Sequence, residues 1–387
     1  MALSINYAPL EQAQSRLDVL GKNIANVGTS GYKKFSFSDD LKSAGAIQDF
    51  SQGTITATNK PLDLAITGDS LFRVEKAGVV TYSRNGQFSL SKENYIVDAY
   101  GDNLTGYGLD AEGNIDKSKL VALTIAKGES KPKQTANVGL NLTLDSRVDS
   151  IPSATSISPS DPKSFNYSTF VTVYDNLGAS HTVQTYFAKR DTANGSTNWD
   201  TYITYDGNPT DSGKRITFNS LGVLASGSVD SFDVKMSATS TSTFTISLDG
   251  SQQRGTSFSS QATQDGLSSA ALTGYSVDQN GFINANYANG TNTQMGQIVL
   301  AKFNNFQGLK QEANNQWSES PESGAAQIGL AGDPKFGSLQ GGALESSNVD
   351  ITVEMVKLIS AQRAFQSAAE VLKKQDEILQ NINNISR

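Results

Sequence analysis

Apolar residues recur every seven positions at both ends of the chain and every second position in the stretches between. At the N-terminal end they fall at Leu3, Leu10, Leu17 and Ile24, with Ala13, Leu20 and Val27 three positions further on. That spacing keeps one stripe on one helix face, and only Asn6 breaks its second row. At the other end Ile351, Leu358, Phe365, Leu372 and Leu379 repeat with the same period, accompanied by Ala361, Ala368 and Ile382, while Val371, Ile378 and Ile385 widen the stripe. Ser346, Ser347 and Asn348 precede this run, and Asp350 and Glu354 place negative charge in its first turn, where cap and helix dipole favour it. Gln362 and Arg363 are polar and fall on the outer side. The first helix runs into Asn26-Val27-Gly28-Thr29-Ser30, where Asn26 and Gly28 are suited to end it.

Neither helix buries its stripe alone, so the two ends pair with each other or with other subunits. The apolar surface of a single pair is small against the backbone entropy lost in ordering both ends. This predicts termini that are poorly ordered in the monomer and fold in a multi-subunit bundle. Two helices packing on the chain's own body is the alternative reading.

The middle reads as strands and turns. Between Asn59 and Gly108 apolar and polar residues alternate, and Asn85-Gly86 between Val80-Thr81-Tyr82 and Phe88-Ser89-Leu90 signals a hairpin. A similar block from Thr273 to Phe303 has turns at Asn280-Gly281 and Asn289-Gly290. The two blocks read as halves of one domain. Between them, Pro152 and a Ser/Thr-rich stretch after Val138 mark a boundary. A new β-unit follows, with strands around Asp175-Asn176-Leu177-Gly178, then WDTYITYDGN and RITFNSLGVL. Residues 226–269 are rich in Ser, Thr and Gly, with FTISLDG as a strand and turn.

The expected fold class is therefore mainly β with two terminal α-helices. Residues 1–27 and 349–387 form a terminal helical domain, 28–70 and 341–348 a linker, 71–144 and 272–340 a discontinuous β-domain, and 145–271 an inserted outer β-domain.

Composition narrows function more than fold. A net charge of −7 without any Lys/Arg cluster argues against nucleic-acid binding, and the absence of cysteine excludes disulfides and thiolate chemistry. No basic segment precedes an apolar core at the N-terminus, and no run of about 18 apolar residues predicts a membrane span. Export would then need a route that does not cleave a signal peptide. His181 is the single histidine and reads as an exposed strand residue. Asp110, Glu112, Asn114 and Asp116 only faintly resemble a calcium loop, because the glycine is misplaced and no closing glutamate follows. No stretch predicts catalytic residues, a metal site or a cofactor.

The N-terminal sequence Asn23-Ile24-Ala25-Asn26, followed by small polar residues and then Gly31-Tyr32-Lys33, resembles the motif shared by bacterial flagellar rod and hook proteins. The block from Gly342 onward, with Asn348, Asp350, Gln362 and Arg363, resembles that family's C-terminal block almost throughout. TYSRNGQFSL with YIVDAYGDNLTGYG resembles its hairpin domain, and FNNFQGLKQEANNQWSES with SGAA resembles the segment that returns to that domain. Two departures stand out: Ser70-Leu71-Phe72 where Gly-Phe-Phe is common, and Glu93-Asn94-Tyr95 in place of an Asp-Gly turn. The inserted β-domain resembles hook proteins, whereas rod subunits are shorter and lack it.

The resemblance implies a structural, non-enzymatic subunit of the flagellar hook, an extracellular curved tube joining rod to filament and transmitting torque as a universal joint. Implied partners are further copies of the chain, a distal rod protein, a hook cap protein, a hook–filament junction protein and the flagellar type III export apparatus. Helical ends would form the inner tube, with the middle of the chain at largest radius. A distal rod subunit and, from another class, a glycan-binding β-rich protein are the alternatives.

Overall fold

The computed structural model describes residues 7–37, 46–191, 195–210, 213–225, 231–235 and 243–385. Two helices and many strands divide between two compact units. One comprises residues 1–127, 273–286 and 292–387, and the other residues 128–272 and 287–291.

In the first unit, α1 (Ala8–Ala25) and α2 (Ile351–Ile385) pack side by side. Asn26 closes α1, its Nδ2 donating to the Lys22 carbonyl at 2.9 Å. Asp350 caps α2 by accepting the backbone N–H groups of Thr352 at 2.9 Å and Val353 at 3.2 Å, satisfying donors that the first turn leaves open.

The body of this unit is a twelve-stranded sheet. Its central strand, Asn292–Lys302, pairs with Leu71–Lys76 (Leu300 opposite Phe72) and with Asn103–Tyr107 (Gln297 opposite Tyr107), which joins the two blocks read from the sequence. Ile298, Val299, Leu300 and Ala301 are all buried, as expected of a strand covered on both faces. The turns at Asn280-Gly281 and Asn289-Gly290 lie where the pattern places them, with both glycines at positive φ.

The Asn85-Gly86 hairpin is not formed. Strand Val79–Ser83 instead turns back on Leu71–Lys76 through Ala77 and Gly78, at φ 48° and 85°. Gly86 serves a close crossing: its carbonyl accepts the Leu64 N–H at 2.9 Å, and a Cβ there would sit 1.7 Å from the Leu64 oxygen. At Glu93-Asn94-Tyr95, Asn94 takes φ 66° and so supplies the left-handed turn that glycine commonly provides. Ser70 is fully buried, its hydroxyl bonded to the Phe336 carbonyl at 2.7 Å.

The segments read as linker are paired structure. Ile55–Ala57 pairs with Ala343–Glu345, and Leu64–Thr67 with Ser338–Gly341, so backbone groups from far apart in sequence satisfy one another.

The second unit packs two five-stranded sheets face to face. Asn137–Asp145 is central to one, lying parallel to Thr243–Ser247 and Gln252–Arg254 and antiparallel to Ser259–Gln264. The other contains Tyr167–Tyr174, Ser180–Lys189, Thr197–Tyr205 and Arg215–Phe218. The boundary at 145 is therefore corrected. Val138, Leu140, Leu142 and Leu144 bury against Val183, Phe187, Trp199 and Phe218, so their strand belongs with the insertion.

His181 is also more engaged than an exposed strand residue. It stacks on Tyr205 at 5.0 Å, with Nδ1 2.7 Å from Asp206 and Nε2 3.5 Å from Asp175. Asp110 and Asn114 close a polar turn, the Asn114 N–H donating to the Asp110 carboxylate at 2.7 Å.

Candidate functional site

The helical stripe and the junction beneath it differ in completeness. Along the seam Leu10, Leu17, Leu20, Ile24 and Val27 are half-buried, as are Leu358, Phe365 and Leu372. Only the small Ala13 and Ala361 are buried outright, because a lone pair of helices covers each large side chain from one direction. Leu3 lies outside the described residues. Leu379 and Ile382 fall within α2, but their side chains lie outside the description. Ile351, expected in the seam, is 46% exposed. It sits at the flank of the first turn, while Glu354 takes the position facing α1.

Glu354 lies in the first turn of α2 as the sequence predicts, and it is buried there. Its Oε2 accepts Asn23 Nδ2 at 3.0 Å and its Oε1 accepts Lys357 Nζ at 2.9 Å. Asn23 is fully buried in the last turn of α1 and uses every polar atom. Nδ2 also donates to the Phe35 carbonyl at 2.7 Å, and Oδ1 accepts the Phe35 N–H at 2.9 Å and the Tyr32 hydroxyl at 3.3 Å. Burial, then the Glu354 charge, push the Tyr32 hydroxyl up to about 12, so it remains a donor.

Beside this node Asn348 binds the backbone of three residues on two stretches. Oδ1 accepts the Lys34 N–H at 2.8 Å, and Nδ2 donates to the carbonyls of Asp49 at 2.8 Å and Ser51 at 3.1 Å.

Deeper still, Glu345 holds two buried cations. Lys33 Nζ lies 2.7 Å from Oε1 and Arg84 Nε 2.5 Å from Oε2, with all three side chains about 2% exposed. Lys33 also donates to the Ser51 carbonyl at 2.7 Å, the Gly53 N–H donates to Oε1 at 2.8 Å, and Arg84 reaches the carbonyls of Ile66 and Ser70. Burial and the neighbouring Arg84 push the Lys33 ammonium below the ordinary lysine range, against the pull of Glu345. Gly31 completes the junction: at φ 70° its N–H donates to the Glu345 carbonyl at 2.8 Å, and a Cβ would meet the Arg84 carbonyl carbon at 2.5 Å.

The motif residues Asn23, Tyr32, Gly31 and Asn348 thus converge on one junction, while Gln362 and Arg363 lie on the exposed face of α2. Arg84, Glu345 and Glu354 were missed as site residues. The available signal was their place inside the family-like stretches TYSRNGQFSL and GALESSNVDITVE.

A second face of α2 is left about half exposed among the described residues. Val353, Met355, Val356 and Ile359 are 47%, 46%, 62% and 52% exposed. Between the helices runs a groove of about 630 Å³ lined by Ala13, Leu20, Phe37, Ala361, Ala364 and Ala368.

Four family descriptions match this chain in sequence order. Residues 10–33 match "Flagella basal body rod protein", 65–143 "Flagellar hook protein FlgE/F/G D1 domain", 141–267 "Flagellar basal body protein FlaE D2 domain" and 340–385 "Flagellar basal body rod FlgEFG protein C-terminal". The flagellar hook proteins FlgE of Salmonella typhimurium and of Escherichia coli K12 are each 36% identical over 408 aligned residues, covering 100% of both chains. That of Borreliella burgdorferi is 27% identical over 96% of each. Among solved structures, Helicobacter pylori flagellar hook protein FlgE2 shares the fold at a TM-score of 0.55 and 15% identity, covering 75% of this chain and 100% of that one.

Proposed function

The chain belongs to the flagellar hook protein family and is a structural subunit of the hook, and on that premise we propose that it polymerises through its two terminal helices. The observation that carries this is the first part of α2, where apolar side chains lie on the face that packs on α1 and also on the faces that do not. A helix apolar on all sides belongs in an interior. The remaining cover comes from further copies, which place their own helices against Val353, Met355, Val356 and Ile359.

In this reading Leu10, Leu17, Leu20, Ile24, Val27, Leu358, Phe365 and Leu372 hold the pair together within each subunit, and the flanking faces join subunits. The ends remain uncleaved, and the chain leaves the cell through the flagellar type III export apparatus to the outer hook. Distal rod, hook cap and hook–filament junction proteins are its neighbours there.

Imaging of the purified full chain by electron microscopy tests the reading, beside a chain carrying Val353→Ser, Val356→Ser and Ile359→Ser, which leaves the Asn23–Glu354 contact in place. Curved tubes from the native chain and soluble monomer from the variant are expected. Tubes from both would contradict it.

A further inference from the structure

His181 has no part in the polymerisation reading. It stands near the start of the strand Ser180–Lys189, between the turn Asp175–Gly178 and the Asp206-Gly207 turn that follows Thr197–Tyr205. Nδ1 lies 2.7 Å from Asp206 Oδ2 and Nε2 3.5 Å from Asp175 Oδ2, so one ring reaches both turns. Of the described residues, Asp175, Asp206 and the stacked Tyr205 are the titratable groups that face it. The Tyr205 hydroxyl is pushed up to about 12, first by burial and then by the two carboxylates, so near neutral pH the imidazole is the group that changes charge.

The second oxygen of each carboxylate is committed to backbone. Asp206 Oδ1 accepts the Thr182 N–H at 2.8 Å, and Asp175 Oδ1 accepts the N–H groups of Leu177 at 2.9 Å and Ala179 at 2.8 Å. Each Oδ2 is thus left to the imidazole. Two carboxylates need two donors, which the imidazolium has and the neutral ring, with one N–H, has not.

The Asp175 turn in turn leans on the neck of its own unit. At Gly178, φ 83°, a Cβ would lie 2.8 Å from Pro132 Cβ and 3.1 Å from the Ser269 nitrogen. Those residues lie on the stretches by which the chain enters the unit at residue 128 and leaves it at 272. The two stretches pair at Lys133 and Leu267, whose N–H groups donate to each other's carbonyls at 2.9 and 2.8 Å.

We propose that His181 is a proton-operated clamp: protonated, it ties both turns, and on losing its proton it keeps Asp206 and releases Asp175, loosening the turn that braces the neck. The shorter contact retains the remaining N–H. Nε2 then turns a lone pair toward Asp175 Oδ2, and two acceptors repel. Release comes as pH rises through the imidazole's raised value.

Because His181 is the single histidine, a full chain labelled with ¹⁵N-histidine gives one imidazole to follow from pH 5 to 9. Above its pKa the ring should carry the proton on Nδ1. Over the same range, amide exchange at Lys133 and Leu267, corrected for the intrinsic pH dependence, should lose protection by about threefold, the modest size expected of a partly exposed pair. Val183 and Phe187 in the sandwich core should lose less. His181→Gln should remove the step, as should Asp175→Asn, which keeps an oxygen for the Leu177 and Ala179 N–H groups.

A neutral ring protonated on Nε2 would overturn the proposal, as would a step of equal size in His181→Gln or none in the native chain. An equal loss at Val183 and Phe187 would do so too, since the whole unit rather than the brace would then be responding.

Discussion

The junction and the helical ends stand a few residues apart and are built on opposite terms. At the junction, Lys33, Arg84, Glu345, Asn23 and Glu354 are charged or polar and almost wholly buried, and each finds its partners within the chain. Along the helices, Val353, Val356 and Ile359 are apolar and about half exposed. Burying charge is tolerable only where geometry is fixed and every group is paired. Exposing apolar surface is tolerable only where something later covers it. The junction is thus complete in one subunit, whereas on the polymerisation reading the helices are completed by others.

The sharpest way to break this contrast is to remove the carboxylate shared by two cations. Glu345→Ala leaves Lys33 and Arg84 buried without it, and should destabilise the first unit by about 3–5 kcal/mol, read as a lower midpoint in denaturant. A variant unfolding at the original midpoint would show that the junction is not the rigid part.

Gly31→Ala comes next, at about 1–3 kcal/mol, since it combines a strained backbone with a collision at the Arg84 carbonyl. Asp350→Ala should cost about 1 kcal/mol by opening the cap of α2, measured as lost helical circular dichroism.

The smallest effect concerns His181 in the second unit. Its hydrogen bond to Asp206, opposed by partial burial and helped by Asp175, raises its pKa above the ordinary histidine value of about 6.5. Asp175 and Asp206 are both pushed down: burial opposes this, and hydrogen bonds to His181 and to backbone N–H groups prevail. The folded state therefore binds the His181 proton more tightly than the unfolded state. The stabilisation is fully present below the unfolded pKa and is lost as pH rises through the raised folded value. The unfolding midpoint should fall slightly from pH 6 to 8 in the native chain and not do so through this group in His181→Gln. An identical pH dependence in both would exclude the pairing.

The helices and most strands were legible because periodicity is local: the seven-residue repeats and the alternation around Asp175–Gly178 need only neighbouring residues. The junction was not, since Lys33 and Glu345 are 312 positions apart and Asn23 and Glu354 are 331 apart. Glu354 follows an N-terminal cap at a spacing that equally describes a solvated charge. The turn at Asn85-Gly86 failed for a related reason, because glycine permits both a positive φ and a close crossing, and only the Leu64 backbone decides which. Alternation from Val138 to Leu144 reads the same in either β-unit, and only the facing sheet shows which core receives it.

On the polymerisation reading, neighbouring copies cover the exposed apolar face of α2. Sedimentation of assembled material tests it most directly, comparing the full chain with one carrying Val356→Ser and Ile359→Ser. The native chain should pellet as tubes, and the variant should stay monomeric with its body unfolding at the native midpoint. Tubes forming from the variant at the native concentration would contradict the claim.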